Sequence, residues 1–172
     1  DALPISILVC ANGVRLERVI ENGEVYSEWF GAVGDGTADD TQAIQGALNY
    51  AFQKKIELRF LPKTYAISSE IIVTGTFVKI KGSKSTVLKK IGINGYISSY
   101  TTPKTSVPTP TTPNSLSGAC FYFVDFSEYP VIEDITFKDF RFALGWQYES
   151  NSPLIKNVIF EHCNTGSIFY LG

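Results

Sequence analysis

The chain has 172 residues, 44% hydrophobic and 19% charged, a balance that suits a packed domain and excludes a disordered or coiled-coil chain. Its formal net charge is −2, with Lys and Arg neither in excess nor clustered, which argues against nucleic acid as a partner. No apolar run approaches the ~20 residues that cross a bilayer, so no membrane insertion is expected. Cys10, Cys120 and Cys163 are too few and too far apart for a disulfide framework or a metal-ligand spacing.

Residues 1–28 read as a β lead-in. Two short apolar stretches, Ile5 to Cys10 and Val14 to Ile20, flank the turn signal Ala11-Asn12-Gly13, and a second turn follows at Glu21-Asn22-Gly23. With no Met, including at position 1, the sequence is expected to be a piece of a longer polypeptide. Gly31, Gly34 and Gly36 then permit a tight, irregular backbone. Their spacing does not follow a strand in the dinucleotide-binding pattern, and no cofactor is expected.

An amphipathic helix is predicted at about residues 40–53. Ala43, Ile44, Ala47, Leu48, Ala51 and Phe52 fall on one face at i, i+3, i+4 spacing. Thr37, Asp39 and Asp40 precede it and are read as structural capping residues, which is a simpler account of these acids than a metal site. From residue 56 onward the pattern is strand throughout, in Ile56 to Phe60, Tyr65 to Val73 and Phe77 to Lys81. Residues 101–118, with Pro103, Pro108, Pro110 and Pro113 among Thr and Ser, read as a protruding loop.

Self-similarity at a fixed period carries the architecture. Val131 to Phe140 aligns without a gap on Leu154 to Cys163, 23 residues later, and Ile56 and Val78 begin similar strands 22 residues apart. A unit of this length, with two or three short strands and no helix, is one coil of a parallel β-helix, in which like stacks on like. Phe137 is expected near Phe160 in an inward column, and Asp134 near Asn157 at a bend. An open solenoid end templates aggregation unless covered, and the helix is expected to supply that cover.

The stretch Trp29-Phe30-Gly31-Ala32-Val33-Gly34-Asp35-Gly36-Thr37-Ala38-Asp39-Asp40-Thr41-Gln42-Ala43-Ile44-Gln45 resembles the opening motif of the pectate-lyase-like β-helix superfamily. Leu61 to Ser68 resembles the first-coil pattern of the same proteins, with Lys63 near where a Gly is usual. The resemblance implies an all-β solenoid, a right-handed parallel β-helix with an N-terminal capping helix, occupying residues 29–172. It also implies a polysaccharide-acting protein, and a phage tailspike is the preferred member. The implied partners are a bacterial capsular or lipopolysaccharide glycan, two further copies in a homotrimer and phage tail or adaptor proteins, at a virion tail. A secreted polygalacturonase- or glucanase-like glycosidase, or a non-catalytic receptor-binding appendage, shares the same motif.

Glycoside hydrolysis uses two carboxyl groups across the scissile bond, whereas a lyase uses a base beside a uronate. Asp125, Glu128, Glu133, Asp134, Asp139, Glu149 and Glu161 lie in or beside the coils. The repeat offset stacks Asp139 on His162 and Lys138 on Glu161, so Asp139, Glu161 and His162 are the catalytic candidates within this chain. A balanced, solvated charged face is the competing reading, and the family's catalytic carboxylates are expected on later coils. Trp146 and Tyr148 are candidate sugar-stacking residues, with a buried or interface aromatic as the alternative for each.

Overall fold

The computed structural model describes residues 7–9, 11, 13, 15–17, 19–20, 22–92, 119–124, 128–147 and 152–170. The loop expected at 101–118 lies outside them. Within the lead-in, β1 (Ile7–Val9) and β2 (Arg15–Glu17) pair antiparallel in a small sheet of their own, Leu8 opposite Leu16.

The rest of the chain repeats one circuit. After β3 (Glu24–Tyr26), a short 3-10 turn (Ser27–Phe30) and β4 (Asp35–Asp39), it enters helix α1 (Thr41–Lys54). Four circuits of three strands follow. The first holds β5 (Glu57–Arg59), β6 (Thr64–Ile67) and β7 (Ile71–Thr74). The second holds β8 (Lys79–Lys81), β9 (Val87–Lys90) and β10 (Ala119–Val124). In the third are β11 (Val131–Glu133), β12 (Thr136–Lys138) and β13 (Phe142–Gln147). The last has β14 (Leu154–Lys156), β15 (Ile159–Glu161) and β16 (Thr165–Tyr170).

Corresponding strands pair in parallel and build three sheets, ordered β3-β5-β8-β11-β14, β4-β6-β9-β12-β15 and β7-β10-β13-β16. The result, among the described residues, is a β-helix-like stack of mostly parallel strands with one α-helix. The stacked sheets begin earlier than the sequence pattern indicates, since β3 falls inside the presumed lead-in and β4 inside the presumed irregular turn. A three-residue strand such as Glu24–Tyr26 shows a single inward apolar residue, too little for a period to register.

Like does stack on like. Val25, Leu58, Ile80 and Ile132 are in register and buried, and Tyr65, Leu88 and Phe137 form a second column. Phe160 continues that column over Phe137, ring centroids 5.8 Å apart. Each such side chain, fully buried, contributes about 1.5–3 kcal/mol of hydrophobic stabilisation. The corners between sheets are turned by residues with left-handed backbone: Asp134 and Asn157 at one, Asp139 and His162 at the next, Phe77, Tyr129 and Ser152 at the third. At the first corner the Asn157 side-chain amide donates to Asp134 Oδ1 at 3.0 Å.

Helix α1 takes the place that a further strand beyond β7 would occupy. Its apolar face, Ile44, Ala47, Leu48 and Ala51, is buried in the same core as the columns. Its Gln45 side chain pairs with the open edge of β7, accepting from Ile72 N at 2.7 Å and donating to Ile72 O at 2.9 Å. One amide thus imitates a neighbouring strand where an unpaired edge would template association. The helix ends at Lys55 in the left-handed conformation (φ 55°), its N–H donating to Phe52 O.

Candidate functional site

The three acids before the helix divide their work. Asp39 accepts from Thr41 N at 3.1 Å, satisfying one of the helix's first free N–H groups, and also from Ser68 Oγ at 2.6 Å. Burial pushes its carboxyl up, but the hydroxyls of Ser68 and Thr41 outweigh this and hold it below the usual carboxylate value. Asp40 occupies the N-cap position, yet its side chain makes no bond to the helix. It turns back, accepting from Val33 N at 2.6 Å, Gly34 N at 3.2 Å and Ala66 N at 3.2 Å, so it ties the glycine-rich turn to β6. Burial raises its carboxyl despite those bonds. Thr37 donates from N and Oγ1 to Asp35 Oδ1 within the turn, so neither Thr37 nor Asp40 caps the helix through its side chain. The capping expectation for these two is corrected accordingly: the Asp40 carboxylate is taken by backbone N–H groups of the turn and of β6, and the Thr37 hydroxyl by Asp35.

The catalytic candidates come together on the outer flank of the β12/β15 pair. Lys138 and Glu161 are in register, and Lys138 Nζ donates to Glu161 Oε1 at 2.6 Å. One residue on, the chain turns the corner in both circuits, at Asp139 (φ 63°) and His162 (φ 49°). His162 Nδ1 lies 3.6 Å from Asp139 Oδ1, and Asp139 N donates to Glu161 O at 3.1 Å. The bond from Lys138 holds the Glu161 carboxyl below its ordinary value and raises the Lys138 ammonium in turn. Glu161 is therefore an ionised carboxylate at neutral pH, suited to stabilise positive charge. His162 has about two-thirds of its side chain exposed.

The other candidates fare differently. Trp146 is fully buried, stacked on Phe123 with centroids 4.0 Å apart, and donates from Nε1 to Ser167 Oγ at 2.7 Å. Its ring belongs to the inward column and is closed to a sugar, which overturns the stacking expectation. Tyr148 lies outside the described residues, as do Asp125 and Glu149. Glu133 stands between Lys81 at 3.2 Å and Lys156 at 3.9 Å, a charge ladder along one sheet. Among the described residues no three His, Cys, Asp or Glu side chains converge as metal ligands.

One feature escaped sequence reasoning. A groove of about 390 Å³ runs along α1 beside the 3-10 turn, lined by Phe30, Gln42, Gly46, Asn49, Tyr50 and their neighbours Ala43 and Gln53. Its only signal in the sequence is the second face of the helix, where Gln42, Gly46, Asn49 and Gln53 recur at i, i+4, i+7, i+11.

No protein-family model matches this sequence, and no curated protein matches it. Solved structures do resemble the fold. A surface adhesin of Streptococcus pneumoniae, PfbA, superposes with a TM-score of 0.56 at 21% identity, over 80% of this chain and 33% of its own. The ORF18 protein of Geobacillus virus E2 gives 0.53 at 18% identity, over 84% of this chain and 30% of its own. The chain thus spans about a third of the length of the structures it resembles. At these identities the likeness is one of fold: stacked, mostly parallel strands.

Proposed function

We propose that the chain is the start of a right-handed parallel β-helix in a phage tailspike-type protein that binds and cleaves bacterial surface polysaccharide. The observation that carries this reading is the outward row of Lys138, Glu161, Asp139 and His162 on adjacent circuits of a rigid parallel stack. Regular rows on a stack present repeated side chains to a repeating polymer, and a pair of carboxyl groups, here Asp139 and Glu161, is the chemistry that glycosidic cleavage uses. Further support comes from the opening motif at Trp29 to Gln45 and from the fold shared with a phage protein. In this reading the protein is a homotrimer at a virion tail, α1 covers the end of the stack, and the remaining carboxylates lie on coils beyond this segment.

A second reading is a β-helical appendage that attaches without cutting. It is favoured by the closed pairing of Lys138 with Glu161, which leaves that carboxylate occupied, and by the fold shared with an adhesin.

A glycan array followed by a reducing-end assay on the full-length protein separates the two. Binding with new reducing ends or unsaturated uronates supports cleavage, and Asp139→Asn or Glu161→Gln should then lower the rate while binding persists. Binding without any product leaves the appendage reading, and no binding to any bacterial polysaccharide removes both.

A further inference from the structure

We propose that the groove between α1 and the 3-10 turn is a binding site for a neutral sugar, separate from the charged flank and not resting on the cleavage proposed above. Its floor is aromatic: Phe30 and Tyr50 meet at 5.5 Å between centroids with their planes tilted by 54°. Such faces take the C–H side of a pyranose ring, as they take other apolar surfaces. Its rim is amide: Gln42, Asn49 and Gln53 are exposed. A primary amide offers donors and an acceptor together, which is what a sugar hydroxyl, itself donor and acceptor, requires.

These amides have capacity left. Asn49 Oδ1 accepts from Gln45 Nε2 at 3.0 Å, and that bond leaves both Asn49 amide hydrogens unused. Among the described residues the side chains of Gln42 and Gln53 make no hydrogen bond, and the buried Tyr50 hydroxyl has no partner. The lining side chains are uncharged, with Lys54 Nζ 5.7 Å from the Tyr50 ring centroid as a cation beside the floor, so the preference for a neutral sugar rests on the amide rim. At about 390 Å³ it falls in the range of about 300–1,000 Å³ typical of small-ligand sites.

Gly46 keeps the groove open. A Cβ there would stand 3.3 Å from Phe30 Cδ1, and any longer side chain would project over the aromatic floor. Since this glycine has ordinary helical backbone and glycine weakens a helix interior, the open floor is the structural consequence of its lacking a side chain.

The test is titration of the ¹⁵N-labelled chain with neutral trisaccharides, α- and β-linked glucose and β-linked N-acetylglucosamine, and with a trigalacturonate control. The expected result is movement of the Gln42, Asn49 and Gln53 side-chain amide signals by at least one neutral sugar, at lower concentration than by the uronate. Gly46→Leu should abolish the effect without loss of helix signal. Gln42→Ala with Asn49→Ala, on exposed positions that leave folding intact, should weaken binding by about tenfold or more, and this variant decides the matter if Gly46→Leu misfolds. Silence with every neutral sugar, or shifts indifferent to both variants, overturns the proposal. So does self-association that Gly46→Leu abolishes while sugars have no effect, which would make the face an interface between copies.

Discussion

Replacing Gln45 tests how the open edge of the stack is closed. Gln45→Ala deletes two hydrogen bonds, at 2.7 and 2.9 Å, to the backbone of Ile72. Neutral bonds contribute about 0.5–1.5 kcal/mol each, and the exposed edge lets water replace part of the loss, so the expected cost is about 1–2 kcal/mol. For a chain of this size that lowers Tm by about 2–8 °C. Gln45→Glu separates geometry from bulk. At neutral pH its carboxylate accepts from Ile72 N but faces Ile72 O with no proton to donate, and the variant should be as unstable as Gln45→Ala. When protonated it can donate and accept as the amide does, so its deficit should shrink as pH falls through the value for that carboxyl. The assay is urea unfolding of parent and variants at neutral and mildly acid pH, with hydrogen exchange at Ile72 N–H. Gln42→Ala, an exposed residue of the same helix whose side chain makes no hydrogen bond among the described residues, is the control. A Gln45→Ala variant within about 0.3 kcal/mol of the parent, or a Gln45→Glu variant whose deficit ignores pH, would refute the reasoning.

Phe137→Ala should cost about 3–5 kcal/mol, because Phe137 is fully buried between Leu88 and Phe160 and touches Phe121 and Phe140; thermal unfolding reads this. Asp35 is held below its ordinary value by the N–H groups of Ala38 and Thr37, and Asp39 by hydroxyls that outweigh its burial. Depressed carboxyls stabilise above their unfolded value and lose that contribution as pH falls through the folded one. Asp35→Asn with Asp39→Asn should therefore flatten the acid limb of a stability-against-pH curve below about pH 4. Asp40, raised by burial, has the opposite sign: its contribution is full below the unfolded value and is lost as pH rises through the folded one. Trp146→Phe should remove a blue-shifted, quencher-resistant component of tryptophan emission, since the Trp146 ring is fully buried; a component open to acrylamide would contradict that placement.

Much of this architecture was legible in the sequence because a stack repeats its demands. The 23-residue offset put Phe137 over Phe160, Asp134 against Asn157 and Lys138 beside Glu161, and all three juxtapositions occur. The helix was equally plain, since its apolar spacing runs for three turns, and Thr41–Lys54 lies within a residue of the expected bounds. What escaped was carried by single residues. Trp146 falls in step with Leu144 on the inward parity of β13, but the aligned repeat stopped at Phe140 and left that strand without a frame. For the side chain of Asp40 the helix N–H groups come next in sequence, whereas those of Val33 and Ala66 arrive only through folding. The pairing of Gln45 with Ile72 spans 27 residues between a helix and a strand, and no local pattern announces it.

The most direct test of the functional account is to incubate the full-length protein with capsular polysaccharide and lipopolysaccharide from candidate host bacteria and follow polymer size by gel filtration. The account predicts that one of these polymers is bound and shortened to oligosaccharides of a defined repeat. Polymers that are all left at full length, with no protein co-eluting, would contradict it.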